Sequence, residues 1–197
     1  MKELSDRIYS WLYQQQSLST MALIVGLLLI AGHLVALLKG DALRSRLREL
    51  PRSQKIGTVI LTIAFLWAMV VVTSCDLGEF DRLRWLAQFM FVGFYLGMLF
   101  WVTDYLGARA IGCLLLLAAC PVLDAAFLRE PASRVALSAL CYVWLTLGLF
   151  WVGMPYTMRD QIAWLTASPS RYRFAALAGI AWGILLVILS LTAYRGS

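Results

Sequence analysis

The residues of this 197-residue chain that could do chemistry are the few ionisable side chains inside or beside its long apolar stretches. A charged group at membrane depth costs roughly 3 kcal/mol or more, so such groups are kept mainly where they bind ions or move protons. His33, the only histidine, lies two thirds of the way along the first apolar stretch. The other candidates flank later stretches and are Asp104, Arg109, Asp124, Arg159 and Asp160.

One function for these groups is a polar site at the cytoplasmic side of a helix bundle. His33 and an acid such as Asp104 would relay protons in a water-filled vestibule, while Arg109 and Arg159 would bind an anion. The alternative is structural: the acids and arginines are solvated or paired at the interface, and His33 is a neutral imidazole bonded to a neighbouring helix. The structural alternative is favoured, because the second, third, fifth and sixth stretches offer no further acid deeper in the bundle.

Asp124 raises a separate possibility, a cation site. Pro121 lacks an N–H and so frees a backbone carbonyl, which the nearby carboxylate could join in holding a cation. The alternative, which we favour, is that Asp124 lies at the outer surface and binds no cation. No catalytic motif, phosphate-binding loop or metal-ligand spacing occurs in the sequence, so it predicts neither an enzyme nor a bound metal or cofactor.

The elements that would position these residues are helices crossing a membrane. Hydrophobic residues make up 61% of the chain and charged residues 14%, against roughly half and a quarter in soluble domains. Five stretches of about twenty residues contain no Asp, Glu, Lys or Arg: 18–38, 56–75, 85–103, 135–157 and 174–194. Uncharged runs of this length are typical of helices that span a ~30 Å hydrocarbon layer. The sequence therefore predicts an all-α, polytopic membrane domain over residues 18–197.

A sixth span over 106–128 is less clear in the sequence. Only 14 residues between Arg109 and Asp124 are uncharged, and Pro121 interrupts them. We predict six spans, and the alternative is a re-entrant segment that would invert the last two. The sequence Leu-Phe-Trp-Val occurs at residues 99–102 and again fifty residues later at 149–152, and Arg109 likewise corresponds to Arg159. This echo indicates that the third and fifth spans run in the same direction. Whether the echo marks a duplicated hairpin or two similar interfaces is open.

Two polar segments complete the prediction. Residues 1–17 place Leu4, Ile8 and Trp11 at helical spacing, which predicts a short amphipathic helix at the interface, with a frayed tail as the alternative. Residues 39–55 contain a surface helix ending at Pro51 and six cations that we expect to attract anionic lipid headgroups. These cations are Lys39, Arg44, Arg46, Arg48, Arg52 and Lys55.

The cationic loop also predicts sidedness. The loop follows the first span, so a cytoplasmic loop puts the N-terminus outside. Ten of the 17 cations then lie inside and seven outside, the bias expected of a protein in a bacterial inner membrane. The net charge of +6 resides between spans, which does not favour nucleic acid as a partner.

Two close-approach faces predict helix packing. Gly93 and Gly97 form one in the third span, and Gly179 and Gly183 form another in the sixth; both serve contacts within or between chains, including a homo-oligomer. The sequence favours a non-catalytic membrane subunit or scaffold. A small-solute or ion permease is the alternative, and a lipid-modifying enzyme a distant third. A permease requires a polar cavity reaching His33, a scaffold requires His33 to be packed, and an enzyme requires a lateral cleft with two carboxylates.

Overall fold

Long apolar helices make up most of the computed structural model, which describes residues 2–130 and 132–194. This part of the chain contains α-helices, short 3₁₀ turns and one π-helical turn, and no strand. Three helices are short: α1 (Lys2–Tyr9), α3 (Gly40–Glu49) and α8 (Tyr156–Thr166). The six long ones are α2 (Leu18–Leu38), α4 (Gln54–Ser74), α5 (Arg84–Phe100), α6 (Leu106–Ala126), α7 (Val135–Gly153) and α9 (Pro169–Leu191).

The six long helices have the length and exterior of membrane spans. A helix of 21 residues such as α2 is about 31 Å long, which matches the hydrocarbon thickness of ~30 Å. Large apolar side chains such as Leu28, Phe89 and Phe174 are more than two thirds exposed, an arrangement that is stable in lipid and not in water. The predicted all-α membrane bundle of six spans is confirmed, and the protein is a multi-pass integral membrane protein.

Helix α6, the doubtful span, is the central one. Of its most apolar 18-residue window, 44% is buried, more than in any other of the six spans. It runs unbroken through Pro121, which lies in its last two turns. Its charged residues lie near its two ends: Arg109 in the first turn and Asp124 in the last. The short uncharged stretch therefore reflects a span that is enclosed by protein and needs less lipid-facing surface.

Interhelical contacts fix the relative directions of the spans. Ser19 at the start of α2 bonds Ser190 at the end of α9, so these two helices are antiparallel. Gly57 in the first turn of α4 contacts Gly107 in the first turn of α6, so α4 and α6 are parallel. Arg109 at the start of α6 reaches the carbonyl of Val152 at the end of α7. The directions thus alternate along the chain, with α5 and α7 pointing the same way, as the sequence echo indicated.

The short helices divide between the two ends of the bundle. Helix α1 lies against the last turns of α4, where Ser5 donates to the carbonyl of Val70 (3.3 Å) and Ser74 bonds Ser5 (2.9 Å). The opposite end carries α3 and α8, which meet where Arg48 bonds Thr166. We call these the α1 end and the α3 end. Each short helix of the α3 end links two spans, in the orders α2–α3–α4 and α7–α8–α9.

Glycines at the helix crossings set how closely the spans pack. A Cβ atom at Gly26 would lie 2.8 Å from the carbonyl oxygen of Gly183, and one at Gly183 would lie 2.8 Å from that of Gly26. Helices α6 and α7 repeat the arrangement with Gly112 and Gly148, at 2.9 and 3.0 Å. Without a hydrophobic driving force between helices in lipid, such close approach supplies the dispersion energy that holds the pairs together. Glycines on facing helices thus allow the close backbone contact of both pairs.

Candidate functional site

A tyrosine between two arginines forms a polar cluster at the α3 end. Gly107 begins this arrangement: any Cβ there would collide with the Leu50 carbonyl, so only glycine lets α6 start against the turn that follows α3. Tyr105, the residue before α6, has left-handed backbone angles (φ 56°, ψ 36°). This conformation directs the chain sharply from the 101–104 turn into the helix and places Tyr105 beside Arg52.

Two guanidinium groups donate to the same phenol oxygen. Arg52 and Arg159 each lie 3.0 Å from the Tyr105 hydroxyl, and their guanidinium carbons lie 5.3 and 5.8 Å from the ring centre. The hydrogen bond from Arg52 is the main reason that the pKa of Tyr105 lies below its usual value; the bond from Arg159 acts in the same direction. The cluster joins the turns before α4 and α6 to the first turn of α8.

Asp160 neutralises only one of these two arginines. It accepts from Arg159 at 2.7 Å, and this hydrogen bond is the main reason that the pKa of Arg159 is raised. The cluster therefore keeps one net positive charge at an exposed position. The cluster can hold the connecting segments together at the membrane interface. It can also attract anions, since guanidinium groups supply hydrogen-bond donors only.

Arg109, another candidate of the sequence, lies deeper and acts on the backbone. Its Nη1 donates to the carbonyl of Val152 (2.9 Å), one of the last carbonyls of α7, which lack partners within their own helix. Its Nε is buried and, among the described residues, has no hydrogen-bond partner. Arg109 thus closes the end of α7 where α6 crosses it.

The remaining acidic candidates lie apart from each other. Asp104 is exposed in the turn before Tyr105, at the α3 end. Asp124 is exposed in the last turn of α6, at the α1 end, where its backbone carbonyl accepts from the Phe127 N–H. No group of three or more His, Cys, Asp or Glu side chains that could hold a metal occurs within residues 2–130 and 132–194.

His33 belongs to a different part of the bundle from the arginines. Its Nδ1 lies 2.8 Å from the carbonyl oxygen of Leu29 in its own helix, and because a carbonyl only accepts, Nδ1 carries the proton. The ring lies directly over Gly179 of α9, where an added Cβ would collide with it. His33 therefore packs between α2 and α9, and the predicted group of His33, Asp104, Arg109 and Arg159 is not assembled.

The ring of His33 lines a cavity of about 500 Å³ between α2, α3, α7, α8 and α9. Only His33, Trp144 and Tyr172 contribute polar side-chain atoms to this lining; the other lining residues are aliphatic or glycine. A path for ions or protons would need continuous polar partners, because an unsatisfied polar group in an apolar medium costs several kcal/mol. This cavity suits an apolar occupant.

The cations of the 39–55 segment are engaged to different degrees. Arg48 donates to the hydroxyl of Thr166 (2.8 Å) and to its carbonyl (3.0 Å), which closes the end of α8. Arg52 is held by Tyr105, and Arg44 pairs with Asp41 at 3.0 Å. The other three cations of the set, Lys39, Arg46 and Lys55, are exposed.

The four predicted packing glycines differ in their surroundings. Gly179 and Gly183 face α2, against His33 and Gly26. On α5, an added Cβ at Gly93 would have no described atom within 4 Å, and one at Gly97 would only touch Trp101 of the same helix segment at 3.8 Å. The Gly93 face of α5 is therefore left uncovered by residues 2–130 and 132–194.

Sequence reasoning named Gly183 of the α2–α9 crossing but missed its partner Gly26, the α6–α7 crossing and one important arginine. Ala22 with Gly26 and Ala108 with Gly112 are small residues four apart, a pattern that would have found both crossings. Arg84, one of the seven cations that the sequence placed outside, donates at 2.5–2.9 Å to the carbonyls of Val72, Thr73 and Cys75 at the end of α4. No local signal in the sequence marks that contact, which joins residues up to twelve apart across a turn.

Comparison with protein-family models, curated proteins and solved structures finds no match to this chain.

Proposed function

We propose that the protein is a non-catalytic membrane subunit or scaffold that offers helix α5 to a transmembrane helix of a partner protein. The observation that carries this proposal is the contrast between Gly93, in the middle of the least buried span, and the glycines at the crossings of the other spans. Gly32 and Gly153 also have no described atom within 4 Å of an added Cβ, but Gly32 lines the cavity beside His33 and Gly153 is the last residue of α7. Gly26, Gly112, Gly148 and Gly183 are each closed by a facing backbone, whereas Gly93 faces open space. A glycine in a span has no packing value toward lipid but allows a second helix to approach closely.

The position of α5 at the periphery supports this proposal. Only 6% of the most apolar window of the α5 segment is buried, against 17–44% in the other spans. Its one packed side faces α4, where Tyr95 bonds Thr62 (2.9 Å) and stacks on Phe65. The opposite side presents large apolar residues around the glycine: Leu86, Phe89, Met90, Leu96 and Phe100. A groove at Gly93 with bulky sides fits a helix that carries small residues.

The surroundings of His33 favour a scaffold over a permease. The ring is packed on Gly179, its Nδ1 is bonded within α2, and its cavity is lined almost entirely by apolar groups. The described residues place no pair of carboxylates beside this cavity, as a lipid-modifying enzyme would require.

The proposal is tested by Gly93→Leu in the full chain. The new side chain enters open space, so the monomer keeps its thermal stability, but a partner helix can no longer approach. We expect the wild-type protein, extracted from its membranes in mild detergent, to migrate in a native gel as a complex larger than the monomer. Gly93→Leu should migrate as the monomer.

Gly153→Leu is the matched control, because Gly153 also faces open space but lies on α7. This variant should keep the complex. A wild-type protein that is monomeric even after crosslinking in intact membranes, or a Gly93→Leu variant that retains the complex, contradicts the proposal.

We also propose that the α3 end faces the cytoplasm of a bacterial inner membrane and that the N-terminus lies outside. The support is the excess of cations at that end, ten of 17. A membrane-impermeant maleimide should then label Glu79→Cys in intact cells and Arg46→Cys only after permeabilisation. Cys75, partly exposed near Glu79, and Cys120, which is exposed toward the same end, are replaced by Ser in both variants. The reverse labelling pattern would invert the topology.

A further inference from the structure

Two adjoining hollows at the α3 end differ sharply in chemistry. The apolar cavity beside His33 (about 500 Å³) is one, and a polar basin of about 590 Å³ is the other. Tyr172, whose hydroxyl donates to the Ala36 carbonyl of α2 (3.2 Å), lines both, so the two hollows meet at this one shared side chain. Both volumes lie in the range of roughly 300–1,000 Å³ that is usual for sites of small ligands.

The basin carries an excess of positive charge. Its lining includes Lys39, Arg44 and Arg173, against one acid, Asp41, which already pairs with Arg44 at 3.0 Å. Among the described residues, Lys39 and Arg173 have no ion-pair partner, and both are exposed. The basin therefore suits an anionic group at the level of the membrane interface.

The apolar cavity has the depth of one leaflet. Along α2 its lining runs from Val25 to Ala36, which is about 16 Å at 1.5 Å per residue. Half of a ~30 Å hydrocarbon layer is about 15 Å. The polar basin begins within one turn after Ala36, at Leu37 to Lys39, where the headgroups of that leaflet lie.

We propose that this pair of hollows binds one phospholipid with an anionic headgroup, in the leaflet at the α3 end. The phosphate lies against Lys39 and Arg173, and an acyl chain enters the cavity along α2. His33 forms part of the wall of the acyl-chain cavity, since its Nδ1 is already bonded to Leu29. This site explains why Gly32 is open: a Cβ there would have no described atom within 4 Å, which leaves room for the chain.

Two variants address the two halves of the site. Lys39→Gln with Arg173→Gln removes the charge, and Gly32→Leu fills the apolar cavity without displacing any described atom at Cβ. Binding of dioleoyl phosphatidylglycerol to the detergent-solubilised full chain is measured by native mass spectrometry, with dioleoyl phosphatidylcholine as the neutral comparison.

We expect the wild-type protein to retain phosphatidylglycerol in preference to phosphatidylcholine. At ~1 kcal/mol per cation, removal of Lys39 and Arg173 should weaken the first phosphatidylglycerol by roughly 30-fold. Gly32→Leu should weaken it as well, by about tenfold or more, since the chain then has no cavity to enter. Gly153→Leu, in open space elsewhere, should leave binding unchanged.

Arg46→Gln with Lys55→Gln is the matched charge control. It removes two exposed cations of the same end that lie outside the basin. If this pair weakens binding as much as the Lys39 and Arg173 pair, the attraction is that of the whole charged surface and the site is refuted. An unchanged affinity of Gly32→Leu refutes the acyl-chain cavity and with it the proposal, whereas the native-gel behaviour of Gly93→Leu is independent of both results.

Discussion

The crossing of α2 and α9 at Gly26 and Gly183 predicts that a single methyl group destabilises the protein. In Gly183→Ala the new Cβ would lie 2.8 Å from the Gly26 carbonyl oxygen and 2.8 Å from Cγ1 of Ile30. A carbon and an oxygen normally approach to about 3.3–3.6 Å. The two helices must therefore separate by roughly 0.5–0.8 Å, because a backbone carbonyl in a helix cannot turn away.

The cost of that separation follows from the contacts along the pair. A gap of this size forfeits a quarter to a half of each dispersion contact in the crossing. It also stretches the reciprocal hydrogen bonds of Ser19 and Ser190, now 2.8 and 2.9 Å, toward the limit of useful length. Overpacked interiors lose about 1–3 kcal/mol, which corresponds to a fall in Tm of roughly 2–12 °C for a chain of this size.

Thermal unfolding in detergent, followed with a thiol-reactive dye, measures this effect. Exposed Cys120 and partly exposed Cys75 and Cys113 are replaced by Ser in every variant compared. Cys141 is fully buried in the core shared by α2, α6, α7 and α9, so its reactivity reports unfolding. Gly32→Ala is the control on α2, because its Cβ meets no described atom within 4 Å. Equal Tm values for Gly183→Ala and Gly32→Ala would refute the reasoning. Full rescue by Ile30→Ala would show that a side chain, and not the facing backbone, sets the cost.

Two further predictions concern polar contacts at the helix ends. Arg84→Gln removes donors from three carbonyls at the end of α4 and should cost about 2–3 kcal/mol, read as a lower Tm, while exposed Arg82→Gln should change it little. The hydrogen bond from Arg52 lowers the pKa of Tyr105 below 10.0, so the folded protein gains stability as pH rises from that lowered pKa to the usual value. The phenolate absorbance of Tyr105 is measured as the difference between the wild-type protein and Tyr105→Phe. It should appear at a lower pH than that of a free tyrosine, and at a higher pH in Arg52→Gln than in the wild type. An unshifted titration would show that this bond does not act in solution.

The amino-acid sequence by itself determined the solvent and the class of fold. Uncharged stretches of about twenty residues can satisfy their backbone groups in lipid only as helices, whatever their neighbours are. The sequence also predicted the surface helix that ends near Pro51 and the N-terminal helix, because the helical spacing of residues such as Leu4 and Ile8 is local information. The span over α6 was harder to predict, since its burial by protein relaxes the demand for apolar residues that lipid imposes.

Only the tertiary structure decided which residues meet. The sequence predicted His33, Asp104, Arg109 and Arg159 on one side of the membrane. In the structure His33 lies between α2 and α9, whereas Arg109 contacts the end of α7 and Arg159 contacts Tyr105. A span carries apolar residues on all of its faces, because lipid tails are as apolar as the protein interior. The sequence therefore carries little information about which face packs against the other helices. Close backbone contacts set that face: Gly26 on Gly183, Gly112 on Gly148. Since each depends on a partner more than thirty residues away, packing alone could reveal it.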